Sequence, residues 1–475
     1  MRWDYLNFLW DDDVGTMMQP NIVKIGCCAG FSGDRYDAGV PVAEALALAD
    51  GPAYLMYETL AERTLALAQI QRRCDPEVGY TPYLADFLRP VLRTCLENGI
   101  PIVGNFGAAN PPAAARRILA LANELNLSTP CVATVEGDDV LESFGERTIR
   151  SWNNDEKRDL TGSRIIAANA YLGGRPIADA LSDGADIVVT GRCTDSALAV
   201  GPLIHAFGLQ HDEWDRLATA VLTGHLLECG AHVTGGYFAD PGYKDVPGMA
   251  SIGFPIAEVS ADDIATITKP PRTGGLVSAA TVTEQLLYEI HDPSAYLTPD
   301  VQLNMTDVEV EDLGENRVRV MGARGAPPPG KLKVTVSIEG DFLAEGEIGY
   351  SGLNALARAR LAARTLLERI ELHGSNCAVR CDIIGAASIH DSIYSRRWQE
   401  DSVPSEGDYR VRLAGSTQNR AEAENVAREV LSLYANGPAG GAGVRYCVTP
   451  RVHTLSSYIS AADIKPKITF YGQRK

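Results

Sequence analysis

The sequence predicts an α/β protein in which a mostly parallel sheet, with helices on both faces, is followed by a small α+β domain of ferredoxin-like outline. Two observations lead to this prediction. From Asn21 to Gly201, short apolar runs that end in glycine or polar residues alternate with helical text, which is typical of parallel strands joined by right-handed crossovers. After Gly374 the pattern becomes two strands, one helix and two more strands, as in small α+β domains.

Length and composition set the outer limits. A chain of 475 residues is too long for one ordinary domain, and we expect an arm over residues 1–20, an α/β domain over 21–370 and the small domain over 375–475. The net charge of −18 gives no electrostatic support for a nucleic-acid or anionic-membrane partner. The opening text lacks the order of a signal peptide, and no apolar run approaches the roughly 20 residues of a membrane span.

The cysteines indicate the compartment. Ten of them are scattered along the chain without a CxxC pair. This pattern is typical of reduced thiols, and it predicts a cytoplasmic protein rather than a disulfide framework or a zinc ribbon.

The first strand, NIVKIG, leads into a glycine-rich turn that carries Gly30, Gly33, Asp34 and Arg35. Glycines at such a turn indicate a sharp change of direction or the close approach of a ligand. The turn matches neither GxGxxG nor a P-loop. We interpret the four residues as candidates for substrate binding; the alternative is a solvated ion pair between Asp34 and Arg35.

Four further strands follow in the runs AYLMYETL, IPIVGNFG, PCVATV and ADIVVT. Ligands of open α/β sheets bind at the carboxyl ends of the strands, and we expect the five strand exits, Gly26, Tyr57, Asn105, Glu136 and Gly191, on one side of the sheet. The strand order is not readable from the sequence, and a barrel is an alternative arrangement. The polar residues at these exits form a candidate site: Asp34, Arg35, Tyr57, Glu58, Asn105, Glu136, Arg192 and Asp195.

The fifth strand exit, GRCTDS, carries three charged or reactive side chains within four residues. Arg192, Cys193 and Asp195 stand at the carboxyl end of a buried strand, and a helix opens at Ser196. An arginine, a thiol and a carboxylate at such an end are placed to act on a ligand. The alternative is that Arg192 and Asp195 pair with each other or cap the helix.

The helix DEWDRLATAVLTGHLLECGAH is expected to end near Gly230. His225 and Glu228 are three residues apart and share a helical face, which makes a metal site one hypothesis and a structural or catalytic use of Glu228 the favoured one. Cys229 and His232 are a candidate thiol–imidazole pair. In the loop that follows, Tyr237 and Tyr243 are candidate lid residues.

A turn with two cations, KPPRTGG, precedes the helical run LVSAATVTEQLLYEI. We expect Lys269, Arg272 and Gly274 to hold an anionic group at the amino end of that helix; the alternative is a capped turn with solvated cations. From Asp300 the sequence predicts several strands, and the helix NALARARLAARTLLERIEL follows them. The loop GPAGGAG lacks a helix amino terminus and is interpreted as a flexible tip.

Four blocks together resemble one known family: IGCCAGFSGDR, VTGRCTDSALAVGPL, LLECGAHVTGGYFADPG and KPPRTGGLVSAATVTEQLLYEI. They are similar to the acyclic terpene utilisation family of the AtuA type, long catalogued as a domain of unknown function. The resemblance spans about Asn21 to the 360s, and the carboxy-terminal segment resembles the ferredoxin-fold module found with that family. It implies catabolism of acyclic terpenes such as citronellol and geraniol, with intermediates carried as coenzyme A thioesters. It brings no catalytic residues.

The favoured function is therefore an enzyme acting on an acyl-CoA or a related branched carboxylic acid, by hydration, lysis or acyl transfer. Asp195 or Glu228 would act as the base of this enzyme. Arg192 and the Gly30–Gly33 amides would hold the negatively charged oxygen that forms on the substrate carbonyl. Cys193 or Cys229 would serve as acid or nucleophile if a nearby cation lowered the thiol pKa. Arg35, Lys269 and Arg272 would pair with phosphate or carboxylate groups.

No cofactor is required by the sequence beyond the coenzyme A moiety of the substrate, and a homo-oligomer is expected. The alternative function is a non-catalytic binding or scaffold subunit of an acyl-CoA-processing complex. A nucleotide-dependent enzyme is disfavoured, because no nucleotide motif is present.

Overall fold

The computed structural model of the protein describes residues 20–152, 164–386, 388 and 406–474. The chain divides into two compact units. The first draws on the described parts of Met1–Asp159, Ala167–Val336 and Leu455–Lys475, and the second on those of Leu160–Ile166 and Ser337–Thr454. Residues 1–19 of the expected arm lie outside the described residues.

The amino-terminal half of the first unit alternates strands and helices as expected. Its elements are β1 (Ile22–Cys27), α1 (Gly39–Ala47), β2 (Ala53–Tyr57), α2 (Glu62–Cys74), α3 (Leu84–Leu88), α4 (Leu92–Glu97), β3 (Ile102–Gly104), α5 (Pro111–Glu124), β4 (Cys131–Glu136), α6 (Val140–Ser151), β5 (Ile165–Ala170), α7 (Arg175–Ser182), β6 (Ile187–Thr190) and α8 (Ala197–Phe207).

The rest of the chain is richer in strands. Its elements are α9 (Trp214–Glu228), β7 (Ile256–Ser260), β8 (Ala265–Thr268), α10 (Ala279–Leu287), β9 (Tyr296–Leu297), β10 (Gln302–Asn304), β11 (Glu309–Gly314), β12 (Arg317–Met321), β13 (Arg324–Ala326), β14 (Lys331–Gly352), α11 (Ala355–Leu372), β15 (Ala378–Ile384), β16 (Gly407–Thr417), α12 (Arg420–Asn436), β17 (Ala442–Ser460) and β18 (Lys467–Gly472).

A ten-stranded mixed sheet runs through the first unit in the order β11-β12-β8-β7-β1-β2-β3-β6-β4-β18. Its centre is parallel: β1 pairs with β2, β2 with β3, and β6 with both β3 and β4. Every residue of β2, β3 and β6 is buried, as expected for strands covered on both faces. The α/β class is confirmed, and the carboxyl ends of these five parallel strands lie at the same edge of the sheet.

The two flanks of this sheet are antiparallel, so the sheet is less parallel than expected. On one side β7 pairs with β1 and β8, and β12 pairs with β8 and β11. On the other side β18 pairs with β4, joining Lys467 to Glu136 and Gly472 to Cys131. Alternating apolar and polar residues in the sequence indicate that such segments are strands, but the alternation does not identify which strands pair with each other.

Tight packing of the sheet against its helices explains one glycine. A β-carbon at Gly26 would lie 2.2 Å from Cγ1 of Val42 in α1. The core around it includes Leu55, Phe87 and Ile187, all fully buried. A side chain at the end of β1 would therefore separate α1 from the sheet.

The second unit contains the larger part of β14, then α11, β15, β16, α12 and most of β17. Their sheet order is β15-β16-β14-β17, and the β14–β16 and β15–β16 pairs are antiparallel. Both helices pack on the sheet through residues such as Ala359, Leu366 and Val430. The main part of this unit, Ser337–Thr454, includes α11 and excludes β18, whereas the small domain expected from the sequence covers residues 375–475. In the described part of the chain, no helix is long and apolar enough to cross a bilayer.

Candidate functional site

A cavity of about 1010 Å³ opens in the first unit next to the carboxyl ends of β1, β2 and β6. Residues that follow these strands line it, together with residues from α9, from the segment 288–299 and from the start of β14. Those with polar or aromatic side chains are Phe31, Asp34, Glu58, Glu62, Tyr171, Arg192, Thr194, Asp195, His225, Glu228, Cys229, His232, Tyr237, Tyr288, Glu289, Tyr296, Thr298, Lys331, Lys333 and Tyr458.

Arg192 lies in the wall of this cavity with only 3% of its surface exposed. Its Nη1 donates to the carbonyl of Leu60, and its Nη2 lies 3.4 Å from Oδ1 of Asp195. The backbone N–H of Arg192 donates to Asp138 Oδ2 at 2.8 Å. Burial alone would lower the pKa of Arg192, but the neighbouring charges, Asp195 first among them, raise it above its ordinary value. Arg192 is therefore a fixed buried cation.

The guanidinium of Arg192 also lies on an aromatic ring. Its central carbon is 4.1 Å from the centre of the Tyr171 ring, and Lys333 Nζ lies 4.7 Å from the same ring. The Tyr171 hydroxyl donates to Glu62 Oε1 at 2.5 Å. Burial would raise the pKa of Glu62, but the charge of Arg192 and this hydrogen bond lower it to about 2. Glu62 is therefore ionised, and it balances one of the two cations.

Glu58 follows β2 and is held by amide groups. Its Oε1 accepts hydrogen bonds from Leu60 N at 2.7 Å and from Asn105 Nδ2 at 2.9 Å. The orientation of the Asn105 amide is fixed because its oxygen accepts from Thr59 N at 2.7 Å. Burial, followed by the charge of Asp195, raises the pKa of Glu58 to about 8. Glu58 is therefore largely protonated at neutral pH.

Asp195 is the second carboxyl group with a raised pKa in this cavity. Burial raises its pKa and Arg192 lowers it, with a net value of about 7. Its Oδ1 is within ion-pair distance of Arg192 but accepts no hydrogen bond from the described residues. About 35% of the side chain remains accessible. Asp195 can therefore both hold and release a proton near pH 7, which suits a general acid or base.

A family model described as "Acyclic terpene utilisation family protein AtuA" matches residues 23–470 of the chain. The chain belongs to the AtuA family. Membership implies a role in acyclic terpene utilisation, and the match extends over both compact units. No curated protein and no solved structure matches the chain.

In this AtuA family member, His225 and Glu228 form a buried ion pair rather than an open ligand set. His225 Nδ1 lies 3.1 Å from Glu228 Oε1, and its Nε2 lies 3.2 Å from the Leu286 carbonyl. Burial lowers the pKa of His225, but the hydrogen bond and charge of Glu228 outweigh it and raise the pKa. Each ring nitrogen thus faces an acceptor oxygen of the protein, so neither is directed at an open position where a metal could bind. The described residues contain no group of three or more histidine, cysteine, aspartate and glutamate side chains that could hold one.

Aromatic rings form another part of the cavity wall. The rings of His232 and Tyr237 are stacked with centres 5.1 Å apart, and Tyr288 meets His232 edge-on at 5.2 Å. Tyr237 is 85% exposed and adopts a φ of 59°, a conformation that is uncommon for a bulky residue. Of the two candidate lid tyrosines, Tyr237 lines the cavity and Tyr243 does not.

Near the glycine-rich turn, Gly30 and Asp34 line the cavity, whereas Gly33 and Arg35 do not. Asp34 Oδ2 accepts from Gly30 N at 2.9 Å, and burial raises the pKa of this carboxyl. Arg35 forms an ion pair with Asp37 at 3.0 Å instead of with Asp34. The close neighbour of Gly30 is the protein backbone: a β-carbon there would lie 2.4 Å from the carbonyl carbon of Cys229.

Several other predicted residues lie away from the cavity wall. Asn105 lies beneath it, where it orients Glu58. At the end of β4, Glu136 accepts from Thr134 Oγ1 at 3.0 Å. Lys269 donates to the Thr273 carbonyl at 2.8 Å, Arg272 is exposed, and Gly274 packs against Gly248.

The turn at 269–275 was expected to precede a helix amino terminus directly, and it does not. Helix α10 begins only at Ala279, and its first N–H groups are already satisfied. Thr281 N donates to the Ser278 hydroxyl, and Ala279 N donates to Asp312. The helix end therefore has fewer free donors for an anion than the sequence indicated.

The two candidate thiols differ in position but share a raised pKa. Cys193 is buried, lies 3.5 Å from the Thr190 hydroxyl and does not line the cavity. Burial raises its pKa to about 12, and burial also raises that of Cys229, which does line the cavity. The condition attached to a thiol nucleophile, a pKa lowered by a nearby cation, is met at neither residue.

Sequence reasoning missed Glu62, Tyr171 and Lys333, which surround Arg192. Glu62 stands only four residues beyond Glu58, so its proximity to a strand exit is readable from the chain. Tyr171 follows β5, and Lys333 is near the start of β14. The pairing of β5 with β14 brings these two residues together, and Tyr171 N donates to the Lys333 carbonyl at 2.9 Å. No local pattern in the sequence predicts that pairing.

Proposed function

We propose that this AtuA family protein is an enzyme of acyclic terpene or branched-chain carboxylic acid catabolism that acts on an acyl-CoA type substrate. The observation that supports it is the meeting, in one large cavity, of a buried arginine with two carboxyl groups whose pKa values are raised to about 7 and 8. Ordinary structural carboxylates ionise near pH 4. Groups that titrate near neutrality in a cavity are typical of acid–base catalysis.

The proposed roles follow from the protonation states. Asp195, when ionised, removes a proton from the carbon next to the thioester carbonyl or from a water molecule. Arg192 donates to the oxygen on which negative charge develops. Glu58, protonated at pH 7, returns a proton to the product. Hydration, carbon–carbon lysis and acyl transfer all use such a set. Glu228 is the less suitable base, because its Oε1 is engaged by His225.

Three attributes extend the proposal. All ten cysteines are free, which supports a cytoplasmic location. The strand–helix–strand–strand–helix–strand order of the second unit supports a ferredoxin-like domain. A homo-oligomer stays a prediction.

Ligand binding is the first test. Thermal unfolding would be followed with a panel of branched acyl-CoAs, free branched acids and nucleotides. A ligand present at 100 times its dissociation constant adds about 2.7 kcal/mol to the free energy of unfolding. We expect a shift with branched acyl-CoAs; a shift with nucleotides alone would contradict the proposal.

Turnover is the second test, made with the acyl-CoAs that bind. Asp195→Asn keeps the size of the side chain but cannot accept a proton, and we expect turnover to fall roughly 10²- to 10⁴-fold. The matched control is Asp183→Asn, which removes one partner of an exposed ion pair with Arg474 and should leave turnover unchanged. Binding of acyl-CoAs without turnover by the unmodified protein would favour the binding or scaffold subunit instead.

A further inference from the structure

The charges that line the cavity are unevenly distributed. Six carboxyl groups line it, Asp34, Glu58, Glu62, Asp195, Glu228 and Glu289. Because carboxylates repel a phosphate group, a ligand that carries phosphates is held most favourably beside the cations of this cavity. The position of the available cations therefore decides which end of such a ligand lies where.

Two basic residues of the wall, Arg192 and His225, already have partners within the protein. Arg192 is held by the Leu60 carbonyl, Asp195 and the Tyr171 ring. His225 lies against Glu228 and the Leu286 carbonyl. Both side chains are buried, so neither is free to turn towards a second ligand group.

Lys331 and Lys333 are more exposed to solvent than Arg192 and His225. They stand two residues apart on β14, so their side chains leave the same face of the strand. The opposite face is formed by Leu332 and Val334, both buried. Lys333 forms an ion pair with Glu62 at 3.4 Å and lies on the Tyr171 ring, but its side chain remains 40% exposed. Lys331 is exposed and has no ion-pair partner among the described residues.

The backbone fixes the direction of this pair. Gly330 has a φ of 67°, which favours glycine, and its carbonyl accepts from Ala461 N at 3.0 Å. The Lys333 carbonyl accepts from Tyr171 N at 2.9 Å. Both lysines are therefore carried by a strand held at two points, and Tyr458 lines the cavity alongside them.

We propose that Lys331 and Lys333 form a binding subsite for an organic diphosphate, and that its source is the coenzyme A part of the thioester substrate. The inference rests on the proposed function. Lysine is a common phosphate ligand and acts as a point charge. The acyl end of the same ligand then extends towards Arg192 and Asp195, away from the phosphates.

The test compares two thioesters of one branched acyl group, one on coenzyme A and one on pantetheine, which lacks the phosphates. Dissociation constants would be measured by calorimetry for the unmodified full chain and for Lys331→Ala, Lys333→Ala and the double variant. Lys331→Arg keeps the charge, and Lys465→Ala, an exposed lysine outside the cavity wall, is the matched control.

We expect the unmodified protein to bind the coenzyme A thioester at least 10-fold more tightly than the pantetheine thioester, since each charged contact is worth roughly 10-fold in affinity. Lys331→Ala should weaken this preference while its affinity for the pantetheine thioester stays the same, and the double variant should lose the preference. Lys331→Arg and Lys465→Ala should keep the preference. Added salt should weaken coenzyme A thioester binding more in the unmodified protein than in the double variant.

Two outcomes would overturn the subsite alone: equal affinity of the unmodified protein for both thioesters, or a preference that survives in the double variant. Failure of both thioesters to bind the unmodified protein would overturn the proposed function together with the subsite. Geranyl diphosphate carries the same charged group without a thioester, and tighter binding of it than of the coenzyme A thioester would overturn the choice of coenzyme A as the source.

Discussion

Glu58 and Asp195 differ in their hydrogen bonds although both carboxyl groups lie in one cavity. Glu58 accepts two N–H groups, whereas Asp195 Oδ1 accepts none and faces Arg192. Because the charge of Asp195 raises the pKa of Glu58, the two groups titrate as a pair. The pair can therefore supply one base and one acid at the same pH.

This pairing predicts the pH profile of turnover. We expect kcat/KM for a turned-over thioester to follow a bell-shaped profile, because one carboxyl group of the pair must be ionised and the other protonated. Burial raises the pKa of both groups, so both limbs should lie well above the usual carboxyl range near pH 4. Initial rates between pH 5 and 9.5 would measure both limbs. A profile that stays flat across this range would contradict the assignment of the two groups.

Tyr171 has two separable functions beside Arg192, and two variants distinguish them. Tyr171→Phe removes the hydroxyl that donates to Glu62 but keeps the ring under the guanidinium. We expect the free energy of unfolding to fall by about 1.5–3 kcal/mol, the usual value for a hydrogen bond to a charged group.

Tyr171→Leu removes the ring as well, and should cost roughly 0.5–2 kcal/mol more through the lost cation–π contact. Chemical denaturation of the three proteins measures both steps. Equal stability of the Phe and Leu variants would show that the ring contributes nothing beyond its size.

Part of this residue set was predictable from the sequence. Glu58, Arg192 and Asp195 follow strands directly, so their meeting at one edge follows from the parallel alternation. The pairing of β5 with β14 brings Tyr171 and Lys333 to Arg192. These two strands are more than 160 residues apart in the chain, so their pairing depends on tertiary packing. The pKa values could not be predicted either, because they depend on burial.

At the scale of elements, the turn after β1 is fixed by its contact with the end of α9. A β-carbon at Gly30 would lie 2.4 Å from the carbonyl carbon and 2.7 Å from the carbonyl oxygen of Cys229. Backbone atoms cannot shift to relieve such a contact without disturbing the fold around them. We expect Gly30→Ala to lower the free energy of unfolding by about 1–3 kcal/mol, the usual cost of overpacking.

Gly33→Ala is the natural control for that substitution. Its β-carbon would meet only the ring of Phe31, at 2.8 Å, and that side chain is 56% exposed and free to turn. We expect a change within about 0.5 kcal/mol. Denaturant midpoints of both variants decide the matter: an equal loss in the two would show that the Cys229 contact does not constrain the turn.

Element boundaries show where local signals were sufficient. Gly230 separates α9 from the turn at His232 as expected, since its φ of 57° favours glycine. Helix α10, in contrast, begins at Ala279 because Ser278 and Thr281 form a capping box. Apolar residues before Ser278 resemble helical text, and only the capping box places the start correctly.

For the whole molecule, folding removes several carboxyl groups wholly or partly from water. Asp138, Asp195 and Glu58 all have raised pKa values, of about 7, 7 and 8, with burial as the main cause. Their unfolded values lie near 4. Between about pH 4 and pH 8 the folded chain therefore binds more protons than the unfolded chain.

The free energy of unfolding should accordingly fall as the pH rises through this window. Glu62 affects the pH dependence of stability in the opposite direction, because its pKa in the folded state is lowered to about 2. Its contribution to the free energy of unfolding is complete above its unfolded pKa and is lost only on acidification. Asp195→Asn removes one of the three groups and also lowers the pKa of Glu58, so its stability should depend less steeply on pH. Urea midpoints at pH 5, 6, 7 and 8 would measure the difference. Asp183→Asn, whose carboxylate is 58% exposed, should follow the unmodified protein, and a slope unchanged in Asp195→Asn would mean that this carboxyl ionises in the folded state as freely as it does in water.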